Sequence, residues 1–190
     1  MPSERLTPDQ VVRVSAGVAG PDARVTVDAG AHMIPATMLW PVAGANGMLI
    51  SNGLSTMGFA LPAAIGAALL DRSRPVVALT GDGGLLICAG ELATAARERL
   101  RIVTIVFADR SLSLIRVKQA QRYFADVGMT IGDVDWCALA ESLGVAASAA
   151  ETEQGLERAV AAALAHDGPS LVEARIDPAT YADTLRAVRG

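Results

Sequence analysis

The chain has 190 residues, enough for one domain with a sizeable core, and we predict a single domain over residues 1–190. It is 52% hydrophobic with a net charge of −4, so its electrostatics give no support to a nucleic-acid-binding function. The spacing of Cys88 and Cys137 and the lack of a signal-peptide pattern favour a reduced, cytoplasmic protein in which both cysteines are small core residues.

The first elements are a helix and a strand. Thr7-Pro8-Asp9 is typical of a helix start, with Thr7 as N-cap and proline at the first helical position. This helix is expected to run to about Val18. An apolar, β-branched run at 24–28 predicts the first strand, and His32 follows its carboxyl end. A histidine there is either an ordinary polar loop residue or part of a binding site.

Residues 29–70 contain no Asp, Glu, Lys or Arg. Proline and glycine break this stretch too often for a lipid-exposed helix, so we expect no membrane association. Depletion of charge is typical of the centre of a protein interface. We therefore predict a surface that another polypeptide covers, next to a binding cleft.

The central motif is Gly81-Asp82-Gly83-Gly84, with Asp109 twenty-seven residues after Asp82. A buried strand is predicted at 75–80, a helix at 85–97 with Leu85, Leu86, Leu92 and Ala96 on its apolar side, and a second buried strand at 102–107. Glycines let the backbone approach a ligand closely, and the amino end of a helix favours phosphate. Asp82 and Asp109 should therefore lie at the carboxyl ends of two strands of one sheet.

Two carboxylates beside a phosphate-binding turn suggest Mg²⁺, which binds oxygen ligands and often shares them with phosphate. The alternative is structural: Gly-Asp-Gly can be only a tight turn, and Asp109 only a polar residue that ends a strand.

The remaining elements alternate. We predict a loop at 118–135, a helix at 135–143 that Gly144 ends, an edge strand at 145–149, a helix capped by Thr152, and a last strand at 170–176, just before the end of the chain. This alternation predicts an α/β fold: a doubly wound, mostly parallel sheet with helices on both faces.

Several segments together resemble the diphosphate-binding domain of thiamine diphosphate-dependent enzymes, in particular the acetolactate synthase type. The segments are Asp28-Ala-Gly-Ala-His32, residues 52–64, the glycine motif with Asp109, and residues 111–119. They occur in family order, and the resemblance runs from about residue 7 to about residue 178. It implies the thiamine diphosphate-binding fold, with thiamine diphosphate and Mg²⁺ as cofactors.

The resemblance also implies roles for individual residues. Met57 would hold the cofactor in its bent V conformation, unless it is simply a core residue, and the backbone carbonyl of Ser55 would accept a hydrogen bond from the aminopyrimidine. Asp82, Asp109 and the Ser111 carbonyl would ligate the metal. The residues expected around the diphosphate are Ala31, His32, Gly81, Gly83, Gly84, Leu112 and Ser113.

The sequence departs from the family in one respect: Ala108-Asp109 stands where Asn-Asn is common. The extra negative charge changes the balance with the diphosphate, and Arg110 and Arg116 are either surface charges or offset it.

Family members also need a glutamate from a separate pyrimidine-binding domain, for which this chain has no room. We expect a separately encoded subunit, with two or more copies each of this chain and a pyrimidine-binding partner. The complex would decarboxylate a small 2-oxo acid or carry out carboligation from one. The alternatives are a non-catalytic cofactor-binding or regulatory module and an excised C-terminal domain of a longer synthase.

Overall fold

A six-stranded parallel sheet forms the centre of the molecule in a computed structural model that describes residues 5–189. Its strands are β1 (Arg24–Val27), β2 (Met48–Ile50), β3 (Val76–Gly81), β4 (Ile102–Ala108), β5 (Ala146–Ala150) and β6 (Ser170–Arg175). Their order is β2-β1-β3-β4-β6-β5, and every neighbouring pair is parallel. The doubly wound α/β fold is therefore confirmed, with β5 as the expected edge strand.

Helices connect the strands. They are α1 (Pro8–Ala19), α2 (Met33–Leu39), α3 (Ala60–Leu70), α4 (Asp82–Cys88), α5 (Glu91–Arg97), α6 (Ser113–Gln121), α7 (Trp136–Ser142), α8 (Glu153–Ala165) and α9 (Tyr181–Arg189). Thr7 and Gln10 form a capping box at α1, and Asp135 and Thr152 accept backbone hydrogen bonds as the N-caps of α7 and α8. The predicted starts of these three helices are confirmed.

The strands feed two separate hydrophobic cores because successive side chains point to opposite faces of the sheet. In β3, Val77 and Leu79 face a core built with α1, α2, α8 and α9. Val76 and Ala78 face a second core built with α3, α4, α5 and α7. Both faces of the sheet are thus covered, which is why β3 and β4 are almost continuously apolar.

Three expectations about helices and loops are wrong. The predicted helix at 85–97 is two helices, because the chain turns at Ala89–Gly90 through i to i+3 hydrogen bonds, and this turn leaves Leu86 46% exposed. The predicted loop at 118–135 begins only at Arg122, since α6 continues to Gln121. The chain also does not end just after its last strand, because α9 follows β6.

The expectation that both cysteines are core residues is also wrong. Cys88 and Cys137 are free thiols, and each is only partly buried.

The uncharged stretch of residues 29–70 forms α2, β2 and α3. Much of it lies in the chain's own core, since Leu61 and Ala64 on α3 are fully buried. Other residues are exposed, including Leu54 at 84% and Leu70 at 83%. Apolarity there therefore has two origins, and only part of the stretch is an open surface. Across the described residues, no helix combines the length and apolarity needed to cross a membrane.

The sheet reverses its direction of winding between β1 and β3. The chain moves from β1 outward to β2, then crosses back by way of α3 to add β3 on the other side of β1. In open α/β sheets, ligands bind at such a switch point, beyond the carboxyl ends of the strands. His32 follows β1, Asp82 follows β3 and Asp109 follows β4, so all three lie at this edge.

Candidate functional site

A cavity of about 320 Å³ lies at the carboxyl ends of β1, β3 and β4. It is lined by all twelve residues that the sequence predicts for the cofactor, from four separate segments: Ala31 and His32; Ser55 and Met57; Gly81, Asp82, Gly83 and Gly84; Asp109, Ser111, Leu112 and Ser113. The fold therefore brings together the residues that were predicted from motifs far apart in the sequence.

Asp82 is the first residue of α4 and is 4% exposed. Its Oδ1 accepts a hydrogen bond from the Gly83 N–H at 2.8 Å, and its Oδ2 accepts one from the Arg110 N–H at 2.6 Å. Burial raises the pKa of Asp82, and these backbone donors oppose the rise. The carboxylate is thus fixed in place by neutral donors rather than by a side-chain cation.

Asp109 lies at the end of β4 and is held by the turn that follows it. Its Oδ1 accepts a hydrogen bond from the Ser111 N–H at 3.0 Å, and its Oδ2 accepts one from the Ser113 hydroxyl at 2.5 Å. Burial raises the pKa of Asp109 to about 6, and the nearby charge of Asp82 adds to the rise. Two partly or fully buried carboxylates, one of which raises the pKa of the other, form an environment that a divalent cation would relieve.

The two arginines beside Asp109 pair with other acids. Arg110 is exposed and forms a salt bridge with Asp133 at 2.8 Å. Arg116 forms one with Asp126 at 3.1 Å, although its charge also lowers the pKa of Asp109 slightly. Arg110 is therefore mainly a surface charge, and Arg116 offsets the extra negative charge only in part.

Residues 129–131 pair with the turn after Asp109. The Leu112 N–H donates to the Met129 carbonyl, and the Ile131 N–H donates to the Arg110 carbonyl, both at 2.8 Å. The Leu112 N–H predicted to face the diphosphate is thus engaged with another carbonyl in this structure.

His32 is buried against the floor of the cavity, 3% exposed, and its ring stacks on Phe107 with the centroids 5.1 Å apart. Burial lowers its pKa to about 4, against the opposing charge of Asp28, so the imidazole is neutral at physiological pH. Its Nε2 atom is buried without a hydrogen-bond partner, and so is the hydroxyl of Ser111. Unpartnered buried polar atoms are uncommon and fit a cavity that accepts a polar ligand.

Met57 lies directly over the glycine turn. A Cβ built on Gly83 would approach Leu112 at 2.7 Å, Ile131 at 3.1 Å and Met57 Cε at 3.2 Å. Gly83 is therefore enclosed by three apolar side chains from three different segments, and a larger residue would displace them. This contact places the Met57 side chain at the cavity, as its predicted role requires. Ser55 also lines the cavity, but it lies on the exposed part of the same loop and has a φ of +53°.

Sequence reasoning missed two further residues. Asp28, fully buried at the end of β1, contacts the loop that carries Met57. Tyr181, at the start of α9, lines the cavity, and burial together with the charges of Asp109 and Asp82 raises the pKa of its hydroxyl. A carboxylate within an apolar strand end was a visible signal for Asp28, but nothing in the sequence indicated that α9 returns to the site.

Among the described residues, no group of three or more His, Cys, Asp or Glu side chains is placed to hold a metal ion. A cation at this site would have two protein carboxylates, from Asp82 and Asp109, and would need oxygen atoms from the backbone, water or a ligand. That donor set suits Mg²⁺ shared with a diphosphate rather than a metal held entirely by side chains.

Comparisons with known proteins agree with this geometry. The sequence model for the family described as "Thiamine pyrophosphate enzyme, C-terminal TPP binding domain" matches residues 28–174. The chain is 36% identical over 173 residues to the catabolic acetolactate synthase of Raoultella terrigena, covering 90% of this chain and 31% of that protein. It is 31% identical to the acetolactate synthase of Bacillus subtilis, covering 96% of this chain and 32% of the relative.

A solved structure has the same fold. It is the thiamine diphosphate-dependent 4-hydroxybenzoylformate decarboxylase of Rhodococcus jostii RHA1, with a TM-score of 0.87 and 25% identity, covering 93% of this chain and 34% of that chain. The chain thus spans about a third of the length of the relatives it matches.

Proposed function

The chain belongs to the thiamine pyrophosphate enzyme family as the C-terminal TPP-binding domain, and we propose that it binds thiamine diphosphate with Mg²⁺ for an acetolactate synthase-like reaction. The reaction would be decarboxylation of a small 2-oxo acid or carboligation from one. The observation that carries the proposal is the single cavity lined by all twelve residues that the family motifs predict.

The cavity contains suitable groups for a diphosphate and its cation. Asp82 and Asp109 supply the carboxylate oxygens, and the Ser111 carbonyl would complete the protein ligands. The glycines allow close approach of a bulky anion, and the neutral His32 offers a polar atom without adding charge. Deprotonated carboxylates beside a polyanion need a counter-charge, and Mg²⁺ would provide it.

When bound, the cofactor supplies the carbanion stabilisation that decarboxylation of a 2-oxo acid needs. This chain's own residues would bind and orient it. Met57 and Leu112, which both line the cavity, would form apolar walls that limit how the organic part can bend, and Ser55 would offer its backbone carbonyl to the pyrimidine side. The contribution of these residues is position and electrostatics rather than proton transfer.

The site is incomplete for catalysis. Asp82 and Asp109 are the only acidic residues of the described chain that line the cavity, and no glutamate lies there. We propose that a pyrimidine-binding domain supplies the missing glutamate across the cavity. Leu54 and Ile87 support this assignment, because they are 84% and 65% exposed. Leu54 lies on the loop of residues 51–59, called the Met57 loop below, and Ile87 packs beside it, so such a domain would cover both.

The pyrimidine-binding domain could belong to a second subunit or to the same polypeptide. The relatives are about three times as long as this chain, which favours a longer synthase from which this domain comes. A module that binds cofactor without turnover is the third alternative. All three predict binding of the cofactor, and they differ in where the glutamate comes from.

Isothermal titration calorimetry with thiamine diphosphate, with and without Mg²⁺, tests the binding proposal. Asp82→Ala should abolish Mg²⁺-dependent binding, whereas Asp133→Ala, which removes an exposed carboxylate near the same turn, should leave it unchanged. The titrations should be repeated with a pyrimidine-binding domain present, since that domain would hold half of the cofactor. Equal affinity in the wild type and Asp82→Ala would contradict the assignment of the metal site.

A further inference from the structure

Asp28 is a buried carboxylate whose hydrogen-bonding capacity is fully used within the chain. It is 0% exposed. Its Oδ1 accepts from the N–H groups of Ala29 and Phe59, each at 3.0 Å. Its Oδ2 accepts from the Gly58 N–H at 3.0 Å and from the Thr80 hydroxyl at 2.8 Å. A carboxylate offers about four acceptor sites, so nothing is left over to bind a metal or a proton donor from a ligand.

These four hydrogen bonds join three segments. Asp28 continues β1, Thr80 immediately precedes the glycine turn of β3, and Gly58 and Phe59 are the last residues of the Met57 loop before α3. The hydrogen bonds recorded for residues 51–56 are local: the Asn52 N–H donates to the Ile50 carbonyl, and Ser51 bonds with Ser55 and Thr56. Asp28 therefore provides a long-range polar attachment of residues 51–59 to the sheet, beside the Thr26 hydroxyl, which donates to the Ala60 carbonyl at 2.8 Å.

The glycine turn is shaped around the same carboxylate. A Cβ built on Gly84 would overlap Asp28 Oδ2 and would approach the Thr80 hydroxyl at 2.9 Å. Gly58 has a φ of +78°, which L side chains rarely adopt, so the loop turns there in order to place its N–H on Asp28. Two glycines in separate segments are thus required by one buried acid.

We propose that Asp28 is a positioning residue of the cofactor site, which holds the Met57 loop at a fixed distance from the Gly81–Gly84 turn. This inference rests on the proposed function, in which Met57 orients the cofactor. Asp28 acts through Gly58, the neighbour of Met57, and is not among the residues that line the cavity. Burial of this charge is stabilised by four preorganised donors, and the loop is rigid because those donors include its own backbone.

The test is hydrogen–deuterium exchange of the purified chain, wild type against Asp28→Asn and Thr80→Val, with Thr104→Val as control. Asp28→Asn replaces one acceptor oxygen by an NH₂ donor at the same volume. Exchange at residues 51–59 should become roughly ten- to a hundredfold faster, as for loss of a charged hydrogen bond, while β3 and β4 stay protected. Thr80→Val should give a smaller effect of the same kind. Thr104 is a buried threonine on β4, and its replacement should leave the loop unchanged.

A second measurement uses the catalytically assembled protein. If Asp28 acts through the loop, Asp28→Asn should lower kcat more than it raises KM. In the double variant with Met57→Ala, kcat should be only slightly lower than in Met57→Ala alone. Unchanged exchange of the loop in Asp28→Asn, or uniform loss of protection across the sheet in Thr80→Val, would overturn the proposal. Should the wild-type chain fail to bind thiamine diphosphate, the proposed function falls, while the exchange experiment still decides whether Asp28 holds the loop.

Discussion

The backbone N–H of Arg110 donates a 2.6 Å hydrogen bond to Oδ2 of Asp82, twenty-eight residues earlier in the chain. Arg110 has a φ of +59°, so the chain adopts a left-handed conformation immediately after Asp109 and directs this N–H toward β3. The bond ties the carboxyl ends of β3 and β4 together. It keeps Asp82 and Asp109 close enough for the charge of Asp82 to raise the pKa of Asp109.

Asp109→Asn should stabilise the metal-free protein at pH 7. Burial raises the pKa of Asp109 from 3.8 to about 6. Ionisation of a group with a raised native pKa destabilises the fold, so its favourable contribution is complete below pH 3.8 and is lost as the pH rises through 6. Because one pKa unit is worth about 1.4 kcal/mol and the amide forms weaker hydrogen bonds, we expect a gain of roughly 1–2 kcal/mol. The melting temperature should rise by about 2–6 °C.

The pH dependence separates this effect from a general change in packing. The advantage of Asp109→Asn should shrink as the pH falls from 7 toward 4, where the native aspartate is already protonated. The variant should still bind Mg²⁺ with thiamine diphosphate, because an amide oxygen remains a ligand. A constant difference in melting temperature at all pH values would show that ionisation of Asp109 is not its cause.

The contribution of His32 to the free energy of unfolding should decrease in acid, whereas the contribution of Asp109 should increase. Burial is the main cause that lowers the pKa of His32 from 6.5 to about 4. The stabilising contribution of the neutral imidazole is therefore fully present above pH 6.5 and is lost as the pH falls toward 4. His32→Gln should remove this loss. The two trends overlap, so thermal unfolding between pH 7 and 4 should be compared in an Asp109→Asn background. If the melting temperature depends on pH with the same slope in Asp109→Asn and in Asp109→Asn with His32→Gln, the imidazole is not buried in its neutral form.

Much of this site could be predicted because each of its four segments carries a recognisable pattern within a few consecutive residues. The strand before Asp82, the glycines around it and the strand before Asp109 each carry a local pattern, and parallel strands bring their ends together. Three of the four hydrogen bonds of Asp28 could not be predicted, since those partners lie thirty to fifty-two residues away. The break between α4 and α5 was missed because apolar spacing continues through the turn at Ala89–Gly90, and the short turn itself has only one glycine.

Met57→Ala should lower turnover more than cofactor affinity. The Met57 side chain reaches over Gly83, so its loss would leave the cofactor bound but less well oriented. We expect at least a roughly tenfold fall in kcat with a much smaller change in Kd for thiamine diphosphate, since misplacement by about 1 Å can cost a hundredfold. Met57→Leu is the control, because it retains a bulky apolar side chain. Equal losses of turnover and affinity, with a large fall in melting temperature, would instead assign Met57 to core packing.

The isolated chain should bind the cofactor weakly and should not decarboxylate 2-oxo acids. Its cavity has no glutamate in the described residues, and Leu54 and Ile87 expose apolar surface nearby. Because burying such surface is favourable, the chain alone should self-associate. Adding a pyrimidine-binding domain should restore turnover and give a complex with at least two copies of each component. Light scattering and assays with pyruvate and other 2-oxo acids measure both outcomes.

Two variants make this prediction specific. Leu54→Glu and Ile87→Glu place charges on the exposed surface without touching the metal ligands, and they should reduce self-association and weaken the gain in activity from the added domain. Val188→Glu, at an exposed apolar position on α9, should change neither. Turnover by the purified chain alone would show that a catalytic acid–base group lies within these 190 residues, because the glutamate would then not be needed from another domain.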